Sequence, residues 1–163
     1  MKTFKLKWIV FITPLVFLSC KAVHTEITIP AEPEIIWSVL TDAPAYQEWN
    51  PVIVKIEGEF REGEKIKNRL KQPDGKQSVI ESTVKKMVKP KELNQYGRTL
   101  GFLTFDHTYL LEPVNGGTRV IQHEEYRGVG VLFWDASWVE PAYRNVNEAL
   151  RNRVAQLKKN GHK

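Results

Sequence analysis

The chain has one cysteine, Cys20, in 163 residues, so no disulfide can close within it and packing alone must hold the fold. It has no Cys-x-x-Cys pair and no His-Glu-x-x-His run. His107 and His123 have opposite strand parity, so they do not converge as ligands, and no metal site is expected. The Gly-x-Ser-x-Gly elbow, the phosphate loop and the dinucleotide glycine fingerprint are also missing. Nucleophilic and phosphate chemistry therefore have no visible basis, and no cofactor is expected. Internal repeats and low-complexity stretches are absent, and the length suits one domain with one core. A hydrophobic content of 42% and a charged content of 26% place that domain among folded ones.

Excess charge is scarcer than the formal +5 suggests. Lys2, Lys5 and Lys7 precede an apolar run from Trp8 to Leu18 and a small residue, Ser19, which is the order of a secretory signal. Without those three lysines the 24 cations fall nearly level with the 19 anions. Little counterion-release drive toward nucleic acid is left, and no nucleic-acid partner is expected. A bilayer of ~30 Å needs about 20 apolar residues in a helix, whereas this run is shorter and Pro14 interrupts it. Leu18-Ser19-Cys20 resembles a bacterial lipoprotein processing box, which implies that Cys20 becomes the lipidated first residue. A plain signal peptide with an incidental cysteine and an uncleaved anchor stay open beside it. Residues 1–20 are thus expected to be a signal peptide and 21–163 an exported cell-envelope domain, meeting a membrane only through that N-terminus.

What is present is strong periodicity. Residues 24–30 alternate polar and apolar as a strand does. Pro33 then opens a helix whose apolar face is Ile35, Ile36, Val39 and Leu40. A further turn through Tyr46 ends at Trp49-Asn50-Pro51. From Val52 the alternation is regular, with Val52, Val54, Ile56, Gly58 and Phe60 on one face. The next strand sets Ile66, Asn68 and Leu70 against Lys65, Lys67, Arg69 and Lys71. Pro73-Asp74-Gly75 turns the chain into 77–88, two strands follow at about 92–98 and 102–112, and Asn115-Gly116-Gly117 leads into 117–128. Strands joined by tight turns make an antiparallel sheet. Val139, Ala142, Val146, Leu150 and Leu157 then form the stripe of a long amphipathic helix able to cover one face.

The last two strands carry the chemistry. In 117–128 the set Arg119, Ile121, His123, Glu125 and Arg127 holds most of the charge and should face water. Val120, Gln122, Glu124 and Tyr126 should then face inward, opposite Phe105, His107, Tyr109 and Leu111. A carboxylate and an imidazole are costly there unless paired or wetted, an unmade hydrogen bond alone costing about 1–3 kcal/mol. In one reading His107, Glu124 and the tyrosines satisfy one another and fix register. In the other they are the polar wall of a ligand cavity, together with Asn68. Trp49, Trp134 and Trp138 are candidates for its mouth, with ordinary core packing as the alternative.

The segments "YQEWNP" at 46–51, "GRTLGFLTF" from Gly97 and "HTYLLEPVNGGTRVIQHEEYRG" from His107 resemble the START/birch-pollen-allergen (SRPBCC) superfamily, in its bacterial polyketide cyclase/dehydrase-like subset. The resemblance runs from Glu26 to about Lys159. It implies an α+β helix-grip fold, a curved antiparallel sheet around a long C-terminal helix, with a cavity between them. It also implies a hydrophobic small-molecule ligand, a lipid or polyketide-like compound. The alternatives are a cyclase, dehydrase or isomerase using Glu124 and His107 as acid and base, and a co-chaperone-like interaction domain. No catalytic set is carried over from the family, so those two roles are an inference from the residues.

Overall fold

The computed structural model describes residues 20–99 and 102–161. The expected signal segment lies outside the described residues up to Ser19, while Cys20 lies inside them. Strand β1 (Cys20–Ile29) is followed by α1 (Pro33–Thr41), a 3-10 turn (Ala43–Ala45) and α2 (Tyr46–Trp49). Six strands follow: β2 (Ile53–Glu57), β3 (Lys65–Lys71), β4 (Gln77–Val88), β5 (Glu92–Thr99), β6 (Leu103–Val114) and β7 (Gly117–Arg127). A second 3-10 turn (Val129–Leu132) leads to α3 (Val139–Asn160). The strands form one curved antiparallel sheet in the order β1-β7-β6-β5-β4-β3-β2. This is the helix-grip α+β fold.

The edge strands β1 and β2 are consecutive in sequence, so the segment holding α1 and α2 crosses from one edge of the sheet to the other. The "YQEWNP" segment fastens that crossing. The Tyr46 hydroxyl donates to the Leu40 carbonyl at 2.9 Å, closing α2 onto the end of α1. Asn50 Oδ1 accepts the backbone N–H groups of Val52 and Ile53 at 2.9 and 2.8 Å, which turns the chain into β2. Glu48 meets Arg153 of α3 at 2.6 Å.

Three local expectations change. The strand read as Val52–Phe60 ends at Glu57, and its pairing slips between Ile53 and Lys55. A bulge sets two residues against one and breaks the alternation, so Val52 and Ile56 are buried while Val54 is only half-buried. On α3 the buried stripe is Val139, Ala142, Val146, Leu150 and Val154. Leu157 lies in the helix's exposed last turns and is 38% accessible. At the other terminus, β1 begins four residues earlier than its alternation suggested, because Cys20, Lys21, Ala22 and Val23 continue the ladder with β7.

The register also sorts the loops by end. Cys20 pairs with Arg127, Lys71 with Gln77 and Thr99 with Leu103. The start of β1, the β3–β4 and β5–β6 turns and the β7–α3 connection therefore lie together. The β4–β5 and β6–β7 turns lie at the opposite end.

Candidate functional site

Between the concave face of the sheet and α3 lies a cavity of about 470 Å³, inside the 300–1,000 Å³ range usual for small-molecule pockets. Strand parity decides what faces it. On β6 the buried residues are Leu103, Phe105, His107, Tyr109 and Leu111, and on β7 they are Thr118, Val120, Gln122, Glu124 and Tyr126. Gly97 on β5 makes room for one of these rings, since a Cβ there would stand 2.4 Å from the Phe105 ring and 2.5 Å from the Glu81 carbonyl. Val52, Ile53, Leu70, Ile80, Val139 and Val146 complete the apolar walls.

Of the residues singled out from the sequence, Asn68, His107, Tyr109, Gln122, Glu124, Tyr126, Trp134 and Trp138 line this cavity. Trp49 does not. Its ring packs on Tyr46, with centroids 5.0 Å apart, on the core side of α2. Tyr143, Ser82 and Gln95 belong to the same polar constellation and were not anticipated. Tyr143 was legible in principle, since it falls four residues after Val139 and three before Val146. Ser82 and Gln95 sit on strands whose inward faces the sequence did not identify.

The polar groups form two clusters. Near the β7–α3 end, the hydroxyls of Tyr126 and Tyr143 both donate to Oε2 of Glu124. Burial pushes the Glu124 carboxyl up to about 7, and the two phenolic hydrogen bonds partly oppose the rise. Burial raises both phenols as well, so they stay protonated donors. A carboxyl balanced between its two forms near neutrality thus faces an apolar cavity.

The second cluster runs across the strands. Asn68 Nδ2 donates to Ser82 Oγ at 2.9 Å, and Ser82 donates to Gln95 Oε1 at 3.1 Å. His107 and Gln122 meet at 3.0 Å between ring Nε2 and amide Nε2. Burial holds His107 down at about 4, so it is neutral at physiological pH. The amide must donate and Nε2 accept, which leaves the ring proton on Nδ1. Two acceptors, Asn68 Oδ1 and Gln122 Oε1, have no hydrogen-bond partner. Both residues are at least nine-tenths buried and line the cavity, as does Asn50, whose Nδ2 is likewise buried without a partner among the described residues.

His107 and Glu124 face each other in register across β6 and β7. Among the described residues no hydrogen bond joins them: the carboxylate is coupled to phenols and the imidazole to an amide. Among the described residues no three His, Cys, Asp or Glu side chains converge as a metal-binding group.

The family described as polyketide cyclase / dehydrase and lipid transport matches residues 21–155. No curated protein matches the chain. Among solved structures, a Rhodobacter sphaeroides protein superposes with a TM-score of 0.71 at 18% identity, over 86% of this chain and 99% of that one. Ara h 8.0201 superposes with a TM-score of 0.65 at 17% identity, over 85% and 99% of the two chains. DynU16, a protein in the dynemicin biosynthetic locus, gives 0.64 at 13% identity, over 82% of this chain and 47% of that one. At these identities the likeness is one of fold.

Proposed function

The chain belongs to the polyketide cyclase / dehydrase and lipid-transport family, and from that premise we propose that it binds an amphipathic small molecule, lipid or polyketide-like, in the cavity under α3. The observation that carries this reading is a cavity of about 470 Å³ whose largely apolar lining is interrupted on the sheet side by a polar wall of Asn68, His107, Gln122 and Glu124. A pure hydrocarbon would not match that polar wall. The favoured ligand therefore has an apolar body against Phe105, Leu70, Ile80 and Val146, and polar groups at that wall.

Native mass spectrometry of the purified chain is the direct test. An adduct extractable into organic solvent and carrying at least one hydroxyl or N–H is expected. Ligand-free protein in every preparation, with no displacement of a fluorescent lipid probe, would sink the reading.

A second reading, acid–base chemistry on the bound molecule, is supported by Glu124. A carboxyl near pH 7 with two phenols at its oxygen is matched to moving a proton at neutrality. In this reading Glu124 takes or returns the proton, Tyr126 and Tyr143 stabilise its anion, and neutral His107 orients through Gln122. Incubating the ligand-loaded chain in D2O checks it. Deuterium should enter the ligand at carbon with the wild-type chain, and the rate should fall by roughly 10²–10⁴-fold in Glu124→Gln. Equal exchange in both chains would leave binding as the whole function.

A further inference from the structure

The end of the sheet where β1 begins carries an apolar surface that the fold does not use. Val129, Leu132, Phe133 and Phe102 are 54%, 61%, 85% and 50% exposed. They belong to two loops held together, since Gly130 N–H donates to the Phe102 carbonyl at 3.2 Å and the Phe102 ring lies where a Gly130 side chain would be. Phe102 and Phe133 also line the cavity, so the patch is the rim of its mouth. Grouped, projecting apolar side chains beside an opening mark a contact surface.

The chain itself indicates what the surface meets. Cys20 pairs with Arg127, two residues before Val129, so β1 enters the domain beside the patch. Immediately upstream is the apolar run Trp8–Leu18. If that run stays as an anchor or acyl chains replace it on Cys20, two of the three readings of the N-terminus, the hydrophobic tether reaches the domain at the mouth with no linker between. The Lys21 ammonium lies on the same rim, donating to the Trp134 carbonyl at 3.1 Å. The carboxylate beside that tryptophan, Asp135, is stabilised chiefly by hydrogen bonds from Ser137, with Lys21 a minor contributor.

We propose that this end of the domain docks on a lipid bilayer, with Val129, Leu132, Phe133 and Phe102 in the interfacial layer and the cavity mouth opening onto the acyl region. The inference rests on the proposed binding function and adds a route: an amphipathic ligand passes between bilayer and cavity without its apolar body crossing water. The bilayer is favoured over a second copy of the chain because the tether emerges at the patch, which holds the mouth against the surface that the tether enters.

Quenching measures the orientation. In the full chain carrying Cys20→Ser, a bimane probe is placed on Leu132→Cys or, at the opposite end, on Val114→Cys. Vesicles of phosphatidylethanolamine and phosphatidylglycerol carry doxyl-labelled lipid as quencher. The Leu132→Cys probe should be quenched several-fold more than the Val114→Cys probe, and Val129→Asp should reduce that difference. Neither Leu132 nor Val129 lines the cavity, so ligand retention serves as the folding control. Equal quenching of the two probes, no vesicle binding, or a Leu132→Cys probe already shielded in solution by a second copy would each overturn the proposal. Ligand retained with an unquenched Leu132→Cys probe refutes the docking alone. Strong quenching in a chain that never carries ligand refutes the binding function instead.

Discussion

Glu124 and His107 pull stability in opposite directions with pH. The Glu124 carboxyl is raised from its ordinary 4.5 to about 7, so between these values the folded state holds the proton more often than the unfolded one. Its contribution is complete below about 4.5 and is lost as pH rises through 7. His107 is lowered from 6.5 to about 4. Its contribution is complete above 6.5 and is lost as pH falls through about 4. In the overlap the two slopes oppose each other, and on the neutral side only the decline due to Glu124 remains. Glu124→Gln should abolish that decline and expose the acid-side loss, whereas His107→Gln should do the reverse. At about 1.4 kcal/mol per pH unit, either change amounts to a few kcal/mol in denaturant titrations run against pH. A neutral-side slope that survives Glu124→Gln would mean another group carries it. Tyr143→Phe removes one donor to the carboxylate and should move the Glu124 titration upward, as read by carbon-13 NMR of the carboxyl.

At the scale of elements, α3 is the lid and its stripe is the seal. Leu150 is fully buried at the contact with β1 and α1, so Leu150→Asp strands a charge there and should cost about 3–5 kcal/mol. Lys67, on the outer face of β3, is exposed, and Lys67→Asp should stay within about 0.5 kcal/mol. Urea unfolding compares the two, and equal costs would mean the faces of β3 and α3 are misassigned. Gly97 is the corresponding point within the sheet. Gly97→Ala should push the Phe105 ring into the cavity, costing about 1–3 kcal/mol as overpacking does and weakening ligand retention. Loss of stability with unchanged retention would show that the ring yields elsewhere.

For the whole molecule, the two sheet edges are tied by α1 and α2 and the concave face is closed by one 22-residue helix. Cavity and mouth exist because that helix packs against β1, α1 and α2 and stands off the strands beyond them. Among the described residues no helix is long and apolar enough to cross a membrane. The expectation of acylation at Cys20 is checked by growing cells with labelled fatty acid. Membrane-associated label on the chain should appear and should vanish in Cys20→Ala. Unlabelled full-length protein in the cytosol would end the idea of export.

By itself the sequence determined the elements and the inward faces of β6 and β7. Both follow from local rules: side chains alternate along a strand, apolar residues recur along a helix, and Asn115-Gly116-Gly117 joins two strands in known register. That was enough to bring His107, Tyr109, Gln122, Glu124 and Tyr126 to one wall. Only the tertiary structure decided their partners. Tyr143 reaches Glu124 from α3, 19 residues away, at a distance set by how the helix lies on the sheet. Ser82 and Gln95 join Asn68 through strand register, and register slips at Ile53/Lys55 and Val84/Lys86, where parity counting fails. Whether Glu124 pairs with an imidazole or with phenols depends on side-chain reach across a curved sheet, and no spacing along the chain encodes that.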